Sequence, residues 1–138
     1  MSEKTINHPI IGGVIEGFRR VGLFYNTPTF PADQIAAWEK EFGVQFPSSY
    51  RETIDYGSYD KNTFHFIEPF RDKKNPAFII FASWNNDQFA FDTNERNSAG
   101  EYPVYILLDG LEPEKRYRDF PEWFQMVFNM TDRPINPE

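Results

Sequence analysis

The sequence predicts an α+β protein, with helices in its first half and a sheet in its second. Three observations carry that expectation. Apolar residues recur at helical spacing early in the chain, as in Ile11, Val14, Ile15 and Phe18. From Thr63 the period changes to two, with Phe64 and Phe66 alternating with His65 and Ile67. Between these regions, residues 42–57 (FGVQFPSSYRETIDYG) hold a helix stop and a helix start only a few positions apart. Two short helices joined at such an apolar corner make a cap, and a cap needs a surface to cover.

The elements follow in order. Asn7 can cap a first helix with Pro9 in its first turn, and Ile11, Val14, Ile15 and Phe18 form its apolar stripe. Gly12, Gly13 and Gly17 weaken that helix, so packing must hold it. Residues 22–30 read as a connector. Pro31 and Asp33 open the next helix, in which Ile35, Trp38 and Phe42 face the core and Glu39, Lys40 and Glu41 face water. Trp38 is read as core packing. Gly43 supplies the left-handed stop and Pro47 the preset φ of the next first turn. Tyr50, Thr53 and Ile54 then recur at helical spacing, and Gly57 closes the helix.

In the second half, a strand from Thr63 ends near Pro69, and residues 71–76 (RDKKNP) form a charged turn. Residues 77–84 (AFIIFASW) are a continuous apolar run, expected at the centre of the sheet. Asn85-Asn86-Asp87 has the chemistry of a tight hairpin, and Phe89 and Phe91 share one face of the returning strand. A polar loop over residues 92–101 leads to a strand over residues 102–108, with Pro103 near its start, and Asp109-Gly110 marks a turn. Asp119 with Glu122 forms a capping box for a last helix whose Phe120, Trp123, Phe124 and Val127 point inward.

Composition bounds the possibilities. A chain of 138 residues reads as one domain, 1–138, with 1–6 and 131–138 as loose tails. At that size it can bury roughly two-thirds of its unfolded surface. The absence of cysteine removes thiol catalysis and cysteine-based zinc sites. With 15 Phe, 7 Tyr and 3 Trp, the core must be built largely of rings. No apolar run is long enough to span a bilayer and no signal-peptide pattern opens the chain, so a soluble, cytoplasmic protein is expected. A net charge of −7 argues against nucleic-acid binding and favours a basic protein partner.

Candidate chemistry is sparse. His8 and His65 stand apart in sequence, and no serine motif accompanies either. Gly12-Gly13 is followed by no phosphate-binding pattern. Asp92-Thr93-Asn94 resembles the opening of a calcium loop, but Arg96, Asn97 and Pro103 occupy positions such a loop needs for a ligand, a glycine and the closing glutamate. No metal and no cofactor is expected. Charge segregation is more informative: residues 84–112 hold six acids (Asp87, Asp92, Glu95, Glu101, Asp109, Glu112) and one base, Arg96, and so carry −5 of the total −7.

Three blocks together resemble the SUKH superfamily, named partly after a fungal cell-wall synthesis regulator. Residues 34–57 (QIAAWEKEFGVQFPSSYRETIDYG) are similar to its acidic helix, glycine, apolar-Pro corner and Tyr-bearing helix. Residues 81–110 (FASWNNDQFAFDTNERNSAGEYPVYILLDG) are similar to its strand pair with a following aspartate and GE-x-P-V run, and residues 119–128 (DFPEWFQMVF) to its closing helix. The chain departs from the family in having Tyr56-Gly57-Ser58-Tyr59-Asp60 where Asn-Gly-Gly is common. The resemblance implies helices packed on an antiparallel sheet of four to six strands and a non-enzymatic role. It further implies an immunity protein that blocks a cognate toxin of nuclease or deaminase type, or alternatively an intracellular scaffold or regulator without a toxin target. The expected contact surface joins Tyr56, Tyr59 and Asp60 at the altered turn with Asp87, Asp92, Glu95 and Glu101. Trp38, Gly43, Pro47, Tyr50 and Gly57 are expected to be structural.

Overall fold

The computed structural model describes residues 8–59, 64–84, 87–108 and 110–131. Four helices and seven strands follow in the order α1 (Pro9–Arg20), β1 (Phe24–Tyr25), α2 (Ala32–Phe42), α3 (Ser48–Tyr56), β2 (Ser58–Tyr59), β3 (His65–Arg71), β4 (Phe78–Trp84), β5 (Asp87–Asp92), β6 (Val104–Leu107), β7 (Glu114–Tyr117) and α4 (Phe120–Thr131). The last five strands form an antiparallel sheet in sequential order, while β1 and β2 pair separately. The α+β prediction and the strand number implied by the resemblance both hold.

Helical stripes and strand alternation meet in one ring-rich layer. Ile11, Val14, Ile15 and Phe18 of α1 are buried, as are Phe120, Trp123, Phe124 and Val127 of α4. Phe18 lies 5.5 Å from Phe124 and 4.8 Å from Phe128, ring centre to ring centre. Tyr50 of α3 lies at the centre of this layer. Its ring meets Phe46, Phe81, Phe91 and Phe120 edge-on at 5.1–5.9 Å, the geometry favoured by the aromatic quadrupole.

The apolar corner does its work through backbone conformation. Gly43 ends α2 at φ 69°, with its N–H donating to Glu39 O, and Pro47 (φ −58°) sits one position before α3 rather than within its first turn. Phe46 between them is buried, and its N–H donates to the Glu39 carboxylate at 2.8 Å. Trp38 is half-buried, with its ring edge-on to Phe30 at 5.0 Å. Asp119 opens α4 as expected, accepting from Glu122 N at 3.0 Å. The Glu122 carboxylate reaches back to Arg118 N, one residue further than a capping box requires.

Several sequence expectations need correction. Gly57 caps the end of α3 as expected, but in extended rather than left-handed conformation (φ −177°). It supplies space: a Cβ there would lie 2.2 Å from the Phe24 ring and 2.7 Å from Tyr25 O. The 77–84 run forms β4, but β5 is the central strand. β3 continues past Pro69 to Arg71, because it is an edge strand and its register shifts between Phe66 and Phe70, where a missing donor is tolerated. The connector over 22–30 contains β1, and α4 runs through Thr131. The hairpin residues Asn85 and Asn86, the helix cap Asn7, the turn residue Asp109 and the tails 1–6 and 132–138 lie outside the described residues.

The helices cover one face of the sheet only. A second register shift, in β4 between Ile80 and Ala82, turns both Phe81 and Ala82 into the helix-side core. Phe78, Ile80 and Ala90 face the opposite way and form their own small cluster with Ile67, Tyr105 and Leu107. Among the described residues no helix covers this outer face.

Candidate partner-binding surface

The expected acids fall at the two ends of the central strand. Asp87 begins β5 opposite Trp84, and Asp92 ends it opposite Phe78. Five residue steps at ~3.4 Å each separate them by roughly 17 Å. The structure therefore does not bring all the acids of the 84–112 segment together.

At the Asp92 end, a small electrostatic assembly stands on the outer face. Asp92 is buried, and its Oδ1 accepts from Asn94 N at 3.1 Å, turning the chain into the following loop. Exposed Glu95 accepts from the Tyr105 hydroxyl at 3.2 Å and faces Lys115 Nζ at 3.3 Å. Tyr105 and Lys115 sit opposite one another on β6 and β7, so strand pairing sets both groups. Burial raises the Asp92 carboxyl above its ordinary range, and the neighbouring Glu95 charge adds to this. A hydrogen bond from Asp92, followed by that from Lys115, holds Glu95 below its ordinary range. The two shifts run in opposite senses, so as pH falls Asp92 takes up a proton before Glu95 does.

Three expected contact residues are buried. Glu101 is 6% exposed, and its Oε2 accepts from the Ser49 hydroxyl at 2.7 Å. Burial pushes its carboxyl above the ordinary range. Asp92 is 8% exposed and Tyr59 7%. The Tyr59 ring packs against Phe18 and Phe124, each 5.3 Å away, and its hydroxyl donates to Thr53 O at 2.9 Å. It is a core strut. Tyr56 is half-buried against Phe24, with the Arg19 guanidinium 5.9 Å from its ring centre. Asp60 lies outside the described residues. That leaves Tyr56, Asp87 and Glu95 as expected contact residues with surface to offer.

Two further features depend on the folded chain: His65, considered from sequence without a serine beside it, has one across the strand pair, and the outer face holds a groove. His65 Nε2 and Ser83 Oγ, 3.1 Å apart, form a cross-strand pair between β3 and β4. More extensive is an open groove of about 690 Å³ on the outer face. It runs from the β3–β4 turn, over Ile80, to Leu107 and Leu111. Phe70 and Leu111 are 44% and 66% exposed. The turn is firmly built: Asp72 Oδ2 accepts from Asn75 N at 3.0 Å, and Phe78 N donates to Asn75 O at 2.9 Å. Lys73 and Lys74 occupy its tip, exposed and without an acidic partner among the described residues. The available signal was the unbroken 77–84 run, since a strand with two apolar faces serves two apolar surfaces.

No helix among the described residues is long and apolar enough to cross a membrane. Comparison with curated proteins finds no match. Residues 30–126, which take in α2 to β7 and the first half of α4, match the family described as SMI1 / KNR4 family (SUKH-1). That span covers well over half of the sequence and includes the corner, the complete five-stranded sheet and the start of the closing helix, and so the chain belongs to the SMI1 / KNR4 family (SUKH-1).

Proposed function

We propose that this protein is a non-enzymatic, cytoplasmic immunity protein that neutralises a cognate toxin of nuclease or deaminase type by direct blockade. The observation that carries the reading is the exposed, outward carboxylate of Glu95 at the end of β5, in a segment holding −5 of the −7 net charge. A nuclease or deaminase presents basic surface to nucleic acid, and an acidic protein can occupy that surface in place of phosphates. Family membership supports a binding role over a catalytic one. In this reading Glu95 and Asp87 steer the partner, and Tyr56, with Asp60 nearby in sequence, offers an anchor.

Co-expression with the product of the adjacent gene tests the proposal. Rescue of growth, together with a complex that survives gel filtration, is the expected result. A neighbouring gene product that is harmless, or whose toxicity this protein leaves unchanged, overturns it.

The uncovered apolar face of the sheet favours a second reading, a scaffold or regulator that recruits a partner without inhibiting any toxin. That reading expects a complex with no protection from a toxin.

A further inference from the structure

We infer that the groove between the β3–β4 turn and Leu111 is a second docking site, of opposite electrostatic sense to Glu95, for an acidic, apolar-rich extended segment of a partner protein. The groove has an apolar floor in Ile80 and Leu107 and two apolar lips, Phe70 and Leu111. Large apolar side chains left open at both ends of a concave surface mark an interaction site more often than an ordinary solvated face does. Its volume of about 690 Å³ can accept several side chains from a bound segment.

Charge identifies the occupant. Lys73 and Lys74 stand together at one lip, at the tip of a turn whose single carboxylate, Asp72, is already engaged by Asn75 N. Arg71 braces the same turn from behind. Its Nη2 donates to Phe42 O at 2.6 Å and its Nη1 to Pro76 O, which ties the turn to the end of α2. The two ammonium groups are therefore carried on a braced platform, and with Arg71 they outnumber the one carboxylate, Asp72, in the same lining. An incoming segment with carboxylates at one end and leucine-like or aromatic side chains beyond them matches both features. The inference holds for an immunity protein and for a regulator alike, since it rests on the groove alone.

Selection of a random peptide library of about twelve residues, displayed on phage, against the full chain tests it; such a segment extends to ~40 Å. Expected are enriched peptides with clustered Asp/Glu next to two or more Leu, Phe or Trp. Binding of the synthesised peptides should fall about tenfold or more in the Lys73→Glu/Lys74→Glu protein and in Leu111→Ser. Both changes are at exposed positions, and circular dichroism checks that the fold survives them. Glu95→Lys should leave peptide binding unchanged, which separates this site from the proposed toxin surface. Basic or neutral consensus peptides, failure to enrich, or binding insensitive to the lysine reversals would overturn the inference. So would a dimer in sedimentation that Leu111→Ser dissociates, because the groove would then belong to a second copy.

Discussion

The Ser49 hydroxyl donates to Glu101 at 2.7 Å, joining the first turn of α3 to the loop before β6 across 52 residues of sequence. This bond places an ionisable group inside the protein, where burial disfavours its charge and lifts its pKa above the ordinary 4.5. Between the unfolded and native pKa values the folded state holds the proton more tightly, so Glu101 contributes less to stability as pH rises through that window. Glu101→Gln keeps an acceptor for Ser49 and removes the charge. The variant should gain stability relative to wild type as pH rises from about 4.5 towards neutrality. Urea midpoints across that range measure it; a constant difference, or one that moves the other way, contradicts the assignment.

Tyr50 presents a related case without a partner. It is fully buried, burial pushes its hydroxyl strongly upward, and that oxygen has no hydrogen bond among the described residues. A buried hydroxyl left unsatisfied costs about 1–3 kcal/mol, whereas the ring itself makes edge-on contacts with Phe46, Phe66, Phe81, Phe91 and Phe120. Tyr50→Phe keeps the ring and deletes the penalty, so it should raise stability by about 1 kcal/mol. A loss of similar size in thermal or urea unfolding would mean that the hydroxyl is satisfied in solution.

Gly57 makes the opposite prediction. Its backbone is extended, a conformation open to any residue, so conformational preference does not require glycine there. The requirement is contact: a methyl group would meet the Phe24 ring at 2.2 Å and Tyr25 O at 2.7 Å. Gly57→Ala should destabilise by about 1–3 kcal/mol through overpacking between β1 and β2. Adding Phe24→Leu should restore part of that loss, because the ring is one of the two obstacles. An unchanged unfolding midpoint in Gly57→Ala would show that the β1–β2 ribbon yields freely.

Particular residues show where sequence was informative and where it was not. Ile11, Val14, Ile15 and Phe18 announced α1 because one face of a helix must be apolar to be buried, and Gly43 announced the corner because its φ of 69° suits glycine. β7 was missed because Glu114–Tyr117 (EKRY) is a short, exposed edge strand. Its pairing is backbone to backbone, and charge on such an edge guards against further pairing. Burial of Tyr59, Asp92 and Glu101 was equally invisible, since polarity suggests a surface and only the packing of the folded chain covers them, as where Ser49 meets Glu101 across 52 residues. Separation of Asp87 from Asp92 by a full strand followed once β5 had defined ends.

That separation turns the electrostatic proposal into a directional one. Asp92 is buried, so reversing its charge would test the fold as much as the interface; Glu95 is exposed and can be changed by itself. If the toxin approaches the Glu95 end, Glu95→Lys should slow association several-fold at about 0.1 M salt and much less at about 0.5 M. Asp87→Lys should then act only weakly, because roughly 17 Å along the strand exceeds the Debye length of ~10 Å at the lower salt. Stopped-flow association rates with the cognate toxin measure both. If the toxin instead approaches the Asp87 end of β5, the order of the two effects reverses. Equal rates for both variants at both salt concentrations would leave Glu95 as a local partner of Lys115 and Tyr105, with no part in steering.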